Sequence, residues 1–411
     1  MADGLFSRLG WPAGRDLRVP ELQRLLGELG RLAAERGAAE LAELVDSVVR
    51  DPDSPDHLYK LGYALIDAGT PEVAATVLWH CLALVGDSEE VVCELVSALE
   101  SALAHADAFD ILDKHAALRA RSYLPRYLYA YNAAMIGRLD VTRATLPSLA
   151  PDGSQTATLH GTIAGIVERA DRVAGTCPLD TRDLRGWHYV LTGGLLVHQS
   201  PYGFDDPMHG RYAWLADSLP RLAYAIDQLG ALVKKLALPC VYAPEGRDHE
   251  IVAEAIATRL GIPRAPWPAI GVPAPGLVAL YDLRGLLPGQ LAQLEQRRPD
   301  QILFAHASPW TVDSPIAPDV TTLLYQSIVP PWGESAVIDP ATGEVSRAAA
   351  DHREVSAIAA EVSASAPLPA GELSAEEPER WSSLVARAWP PSPGSRTRLW
   401  AGGPVPSSRF S

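Results

Sequence analysis

LGYALIDAGTPEVAATVLWHCLAL, residues 61–84, reads as two helices joined at a turn. Apolar side chains recur every three or four residues on both sides of Gly69-Thr70-Pro71, a glycine and a proline of the kind that punctuates helices. The pattern then returns. GTPEVAATVL (69–78) aligns with LAHADAFDIL (103–112) and with GRLDVTRATL (137–146), a period of 34 residues twice over. Leu78, Leu112 and Leu146 fall in register, as do Leu65, Leu99 and Ala133. Ala74 and Ala108 form a matching small pair, with Thr142 in the third copy, and Leu103 stands where the other copies have the turn glycine.

A helix–turn–helix unit of 34 residues resembles the tetratricopeptide repeat. Leu61-Gly62-Tyr63 on the first helix, Gly69 at the turn and Ala74 on the second carry the resemblance, which covers residues 57–150. It implies hairpins that each bury an apolar face against the next, and a concave surface that takes a protein or peptide. The lysine and asparagine clamp that some members use for a chain terminus has no clear counterpart among Lys60, Lys114 and Asn132. Outward from the repeats, residues 19–49 read as two more amphipathic helices, with Leu22, Leu25, Leu29 and Leu32 at helical spacing. RDPDSP (50–55) breaks the pattern, PDGS (151–154) breaks it again, and a helix over 157–173 caps the stack.

After Cys177-Pro178 the rhythm changes to alternating strands and helices. Strands are expected at 188–197, 240–243, 276–283, 301–308 and 321–329, and helices at 213–236, 249–260 and 288–298. AVIDPATGEVSR (336–347) reads as a hairpin. Such alternation predicts a parallel or mixed sheet with crossover helices. The expected architecture is multidomain α + α/β. A leader (1–15) precedes a tetratricopeptide-like α-solenoid (16–175). A Rossmann-like α/β domain (178–362) and a Pro/Ser-rich flexible tail (363–411) follow. Within the tail, RWSSLVARAW (380–389) forms an amphipathic turn or two that docks on the protein's own surface.

Composition narrows the function classes. Of 411 residues, 47 % are hydrophobic and 21 % charged, a globular balance. A net charge of −15 with no basic patch argues against nucleic acid as a main partner. No run of eighteen apolar residues and no signal-peptide pattern occurs, so no membrane association is expected. Cys81, Cys93, Cys177 and Cys240 show no CxxC spacing and read as reduced thiols of a cytoplasmic protein.

The sequence carries no P-loop, no GxGxxG after a strand, no HExxH and no GxSxG, and it leaves any cofactor unidentified. What remains is positional, because open parallel sheets bind ligands beyond the carboxyl ends of their strands. The loop HQSPYGFDDPMHGRY (198–212) contains His198, Asp205, Asp206 and His209, whose spacing fits no metal motif. His198, Asp206 and His306 are the expected proton-transfer groups. Ser200, Arg211, Arg247, Asp282, Arg284 and Ser308 are the expected contacts to a small anionic ligand. Ser200, Ser308 and Cys240 are the available nucleophiles, with Cys240 placed as core. His188 is expected to be packed within a strand.

PEGRDHEIVAEAIATRLGIP (244–263) resembles the strand–loop–helix of phosphoribosyltransferase-like domains. That family ends a strand in two adjacent acids and a small-residue loop, whereas VALYDLRGLLPG (278–289) supplies Asp282 alone and bulky leucines. The expected function is an interaction scaffold, with a protein or peptide on the helical repeat and a ligand on the α/β domain. The alternative is an enzyme acting on a phosphorylated or nucleotide-like molecule at the carboxyl edge of the sheet.

Overall fold

A computed structural model describes residues 16–202, 208–269, 271, 274–338, 345–369, 377–391 and 398–407. The chain divides into two compact units, Met1–Ala164 and Gly165–Phe410. The division falls inside the helix that the sequence reading gave wholly to the first domain.

The first unit is a succession of antiparallel hairpins. Helices α1 (Pro20–Glu35) and α2 (Ala39–Arg50) form one pair, α3 (Pro55–Asp67) and α4 (Pro71–Val85) the next. Then come α5 (Glu89–Ser101) with α6 (His105–Lys114), a short α7 (Ala116–Arg121), and α8 (Tyr123–Met135) with α9 (Leu139–Thr145). The first helices of the last three pairs begin at Pro55, Glu89 and Tyr123, and the second helices at Pro71, His105 and Leu139, intervals of 34 residues throughout. Helix α3 touches α5, and α5 touches α8, so each pair packs on its successor.

Local chemistry repeats with the helices. Ser54, Ser88 and Ser122 precede the three first helices. Ser54 and Ser88 accept from the amides of His57 and Val91, as N-caps do. Ser122 gives its hydroxyl to Glu89 instead. The turns are built alike: Gly37, Gly69, Leu103 and Gly137 all have positive φ, at 80°, 71°, 58° and 81°. Each donates its amide to the carbonyl three residues back, and the next residue donates five back, for example Leu103 to Glu100 (2.9 Å) and Ala104 to Leu99 (2.8 Å). This left-handed helix stop suits glycine and costs any other side chain. Gly62 has a separate reason, since a Cβ there would lie 2.5 Å from Cγ of Leu78 on α4. The core follows most of the register positions: Leu65, Leu99, Leu78, Leu112, Ala74, Ala108, Ala133 and Thr142 are fully buried, whereas Leu146, the third-copy counterpart of Leu78 and Leu112, is half-buried.

Helix α10 (Ser154–Arg172) leads into the second unit, where α11 (Leu184–Thr192) precedes strands β1 (Leu195–Leu196) and β2 (Tyr212–Ala216). Next are α12 (Leu219–Val233), β3 (Val241–Tyr242), α13 (Arg247–Leu260), β4 (Gly276–Asp282), α14 (Pro288–Glu295), β5 (Gln301–Pro309) and β6 (Val320–Val329). The hairpin β7 (Ser335–Ile338) and β8 (Val345–Ala348) and helices α15 (Val355–Ala364) and α16 (Glu377–Ala388) complete the described elements.

The sheet runs β1-β6-β5-β4-β3, every pairing parallel, with β2 also on β6. Leu195 pairs with Val320 at the start of β6, and Tyr212 with Tyr325 in its second half. Strands β1 and β2 are thus two pieces of one edge strand; the pairing continues through the Val197 and His198 amides and resumes at Tyr212.

Three expectations change. The strand expected over 188–197 is mostly α11: Asp183 caps it through the Gly186 amide, Gly193 at φ 78° stops it, and only Leu195 and Leu196 are strand. The apolar stretch 188–197 holds the end of one element and the start of the next, the last turns of α11 and then β1, and its apolar residues run on across the boundary. The helix expected over 213–236 starts only at Leu219 behind the cap Ser218, and YAWLA before it is strand β2. The tail expected to be flexible contains α16 and a packed segment, residues 398–407, in which Leu399, Ala401 and Val405 are buried. Two indoles here bond inward, Trp381 of α16 to Gln228 at 3.1 Å and Trp389, just past its end, to the Leu232 carbonyl at 2.9 Å. No helix among the described residues is long and apolar enough to cross a membrane.

Candidate functional site

Asp217 ends β2, at the carboxyl edge of the sheet, and its side chain is fully buried. His306 on β5 places Nε2 2.9 Å from Asp217 Oδ2, and the Tyr281 hydroxyl on β4 donates to the same oxygen at 3.1 Å. Arg221, in the first turn of α12, reaches Oδ1 at 3.2 Å. Burial works to raise the Asp217 carboxyl, and the His306 and Arg221 partners overcome it, holding the group below the ordinary carboxylate range. The Tyr281 ring stacks on His306 at 5.5 Å and meets Trp332 at 5.3 Å. Burial, and then the Asp217 charge, push the Tyr281 phenol far up.

His198 joins this group across Tyr212. Its Nε2 lies 2.8 Å from the Tyr212 hydroxyl, and the Arg221 guanidinium sits over the Tyr212 ring at 5.7 Å. Desolvation first, then the neighbouring Arg221 and Arg185, lower the His198 pKa to about 3, so the ring is neutral near pH 7. Nδ1 of His198, Nδ1 of His306 and the Thr322 hydroxyl are buried without a hydrogen-bond partner. The structure therefore brings together two expected residues, His198 and His306, around a carboxylate that sequence reasoning missed. Had YAWLA been read as a strand, Asp217 would have been its terminal acid.

The other expected residues are engaged elsewhere. Arg247 does not face an anion site: its Nη2 donates to the carbonyls of Asp351 (2.8 Å) and Arg353 (2.7 Å). Arg259 at the far end of α13 does the same to Ser363 and Ser365 while pairing with Asp227, so two arginines of one helix pin the chain from 351 to 365. Arg284 donates to the Tyr325 hydroxyl (2.7 Å), which donates in turn to Asp282. Asp282 also accepts from the Arg284 amide at 2.9 Å, and burial raises its pKa. Ser308 shares a hydrogen bond with Thr321. Ser200 closes a turn with the Tyr202 backbone, accepting from its amide at 3.2 Å and donating to its carbonyl at 3.1 Å. Asp205 and Asp206 lie outside the described residues. His188 is on α11 rather than in a strand, and is buried.

Arg211 differs from Arg247 in burial. It is 6 % exposed, and among the described residues its side-chain bonds go to neutral carbonyls, Val405 at 3.2 Å and Pro406 at 3.4 Å, with the Trp310 ring 5.7 Å away. Burial lowers its pKa to about 10. It lines a small cavity with Trp187, His188, Thr192, Trp310 and Trp400, beneath residues 399–405. His188 Nε2 is buried there without a partner. Among the described residues, no three His, Cys, Asp or Glu side chains come together as metal ligands.

No protein-family model matches the chain, and no curated protein matches it.

Proposed function

We propose that the protein is an interaction scaffold whose helical unit holds a protein or peptide and whose α/β unit holds a small ligand without turning it over. The observation that carries the reading is the 34-residue interval between helix starts, joined by turns of one hydrogen-bond pattern. That combination is what tetratricopeptide-like hairpins require, and we assign the unit to that type. Its first helices carry an acidic, tyrosine-bearing face. Tyr63 on α3 is 53 % exposed, and Glu94 on α5 is near enough to help raise the Tyr59 phenol. A peptide with basic side chains complements such a face.

Against the enzyme reading stands the engagement of the expected catalytic and anion-binding groups. His306, Arg247, Arg284 and Ser308 are bonded within the protein, and His306 and Asp217 are buried. A general acid–base must reach the proton it moves. The four unpaired cysteines suit a reducing compartment, and we place the protein in the cytoplasm.

Peptide display against the immobilised full chain tests the first half. Enriched peptides, measured by fluorescence anisotropy, are expected to lose about tenfold in affinity on Tyr63→Ala. Enrichment of none, or affinity indifferent to Tyr63, would sink the scaffold reading. A metabolite thermal-shift panel tests the second half, which fails if nothing stabilises the chain.

A further inference from the structure

The cavity at Arg211 combines features that a structural clamp alone does not call for. A guanidinium buried away from water normally meets a carboxylate, which accepts two parallel charge-assisted bonds. Arg211 instead meets two backbone carbonyls at 3.2 and 3.4 Å, the longer beyond the usual range for such bonds. Among the described residues no acidic side chain bonds to it, and burial lowers its pKa. On the same cavity His188 presents a buried, unpartnered Nε2. The remaining walls include the indoles of Trp187, Trp310 and Trp400. Apolar and aromatic walls with a few converging polar groups are what small-molecule sites share.

We infer that this cavity is a binding site for a small carboxylic acid with an apolar or aromatic body, and that residues 398–407 are the lid over it. The inference deepens the ligand-binding half of the proposed function and rests on it. With the lid in place about 30 Å³ remains, room for about two waters and none for a metabolite. The acid must therefore displace the carbonyls of Val405 and Pro406 from Arg211. Its carboxylate takes their place on the guanidinium, its second oxygen comes within reach of His188, and its body lies among the indoles. The lid is fastened at its other end by paired backbone bonds between Leu399 and Ser314 (2.9 and 3.0 Å) and by Asp313, which accepts from the Ala401 amide at 2.7 Å. Lifting the lid releases those bonds as well.

The test uses the full chain, with phenylacetate as probe and phenylacetamide as its uncharged counterpart. Calorimetric titration is expected to show the acid binding at least tenfold tighter than the amide, and Arg211→Gln is expected to abolish the difference. Hydrogen exchange at the Leu399 and Ala401 amides should speed up several-fold when phenylacetate binds wild type, a readout that needs no variant. Equal binding of acid and amide, or exchange unchanged at saturating acid, overturns the inference. An acid that binds wild type and Arg211→Gln alike also overturns this site while leaving ligand binding by the unit intact. If the metabolite panel yields no ligand at all, the underlying reading fails with it.

Discussion

At the scale of single residues, Leu103 shows how a helical hairpin tolerates an ill-suited side chain. It adopts φ 58° because its hairpin imposes the turn that Gly69 and Gly137 make freely. A left-handed conformation costs a side chain about 1–2 kcal/mol, part of which the half-buried leucine recovers by packing. Leu103→Gly is expected to raise stability by about 1 kcal/mol, read as a higher urea midpoint. Gly69→Ala, where a Cβ meets nothing within 4 Å, isolates the backbone cost and is expected to lower stability by about the same amount. The buried histidines set a second expectation. Desolvation holds His188 at about 4 and His198 at about 3, with nearby arginines adding to it. Unfolded, each takes its proton near the ordinary value of about 6.5. Between the unfolded and folded values the unfolded chain binds more protons, so stability falls as pH falls. The loss is about 1.4 kcal/mol per pH unit for each histidine, or about 2 kcal/mol each by pH 5. Denaturant midpoints measured from pH 7 to 5 check it, and His198→Gln should flatten the slope by one proton's worth.

At the scale of elements, sequence and structure agree where a segment has one environment. Strands β4 and β5 are almost wholly buried, mostly apolar runs ended by turn residues, and both stand out in the sequence within a residue of their bounds. The hairpins announced themselves because three copies of one pattern outweigh any single propensity. The serines 54, 88 and 122 were a further signal left unread. Misreadings arose where one apolar run holds parts of two elements. The stretch 188–197 joins the end of α11 to β1, and the stretch from 213 joins the five-residue β2 to the helix that follows it. Of the site, His198 and His306 were legible as polar groups at strand ends. Asp217 was hidden by the misplaced helix, and Arg247 misled because a helix-start arginine looks the same whether it meets an anion or a carbonyl. Helix α16 is held on the α/β unit by two indoles and by the buried side chains of Leu384 and Ala388. Trp389→Ala is expected to raise exchange across residues 377–388 more than tenfold, while the unit's main melting temperature moves by a few degrees. Such an element opens locally, below the cost of global unfolding.

At the scale of the whole molecule, two units each have their own core. One is built on Leu58, Leu65, Leu78 and Leu95, and the other on strand residues such as Val278, Leu303 and Leu323. Calorimetry is expected to resolve two transitions. Leu103→Gly should shift only one of them upward. Asp217→Asn should shift only the other downward, by about 3 kcal/mol, because it strips the charge that His306 and Arg221 were buried to meet. A single transition moved by both variants would show that the units unfold as one.

The broken edge strand has a consequence for how this chain can change. Continuing the register of Leu196 with Thr321 places His198 level with Leu323, and Tyr212 is level with Tyr325. The thirteen residues 199–211 thus fill an interval that one strand residue would span. To the sheet they are a cassette, removable or replaceable with both strand pieces left in register on β6. Arg211 rides on that cassette, so evolution, or an engineer, can rewrite what the cavity recognises without renegotiating the fold that supports it.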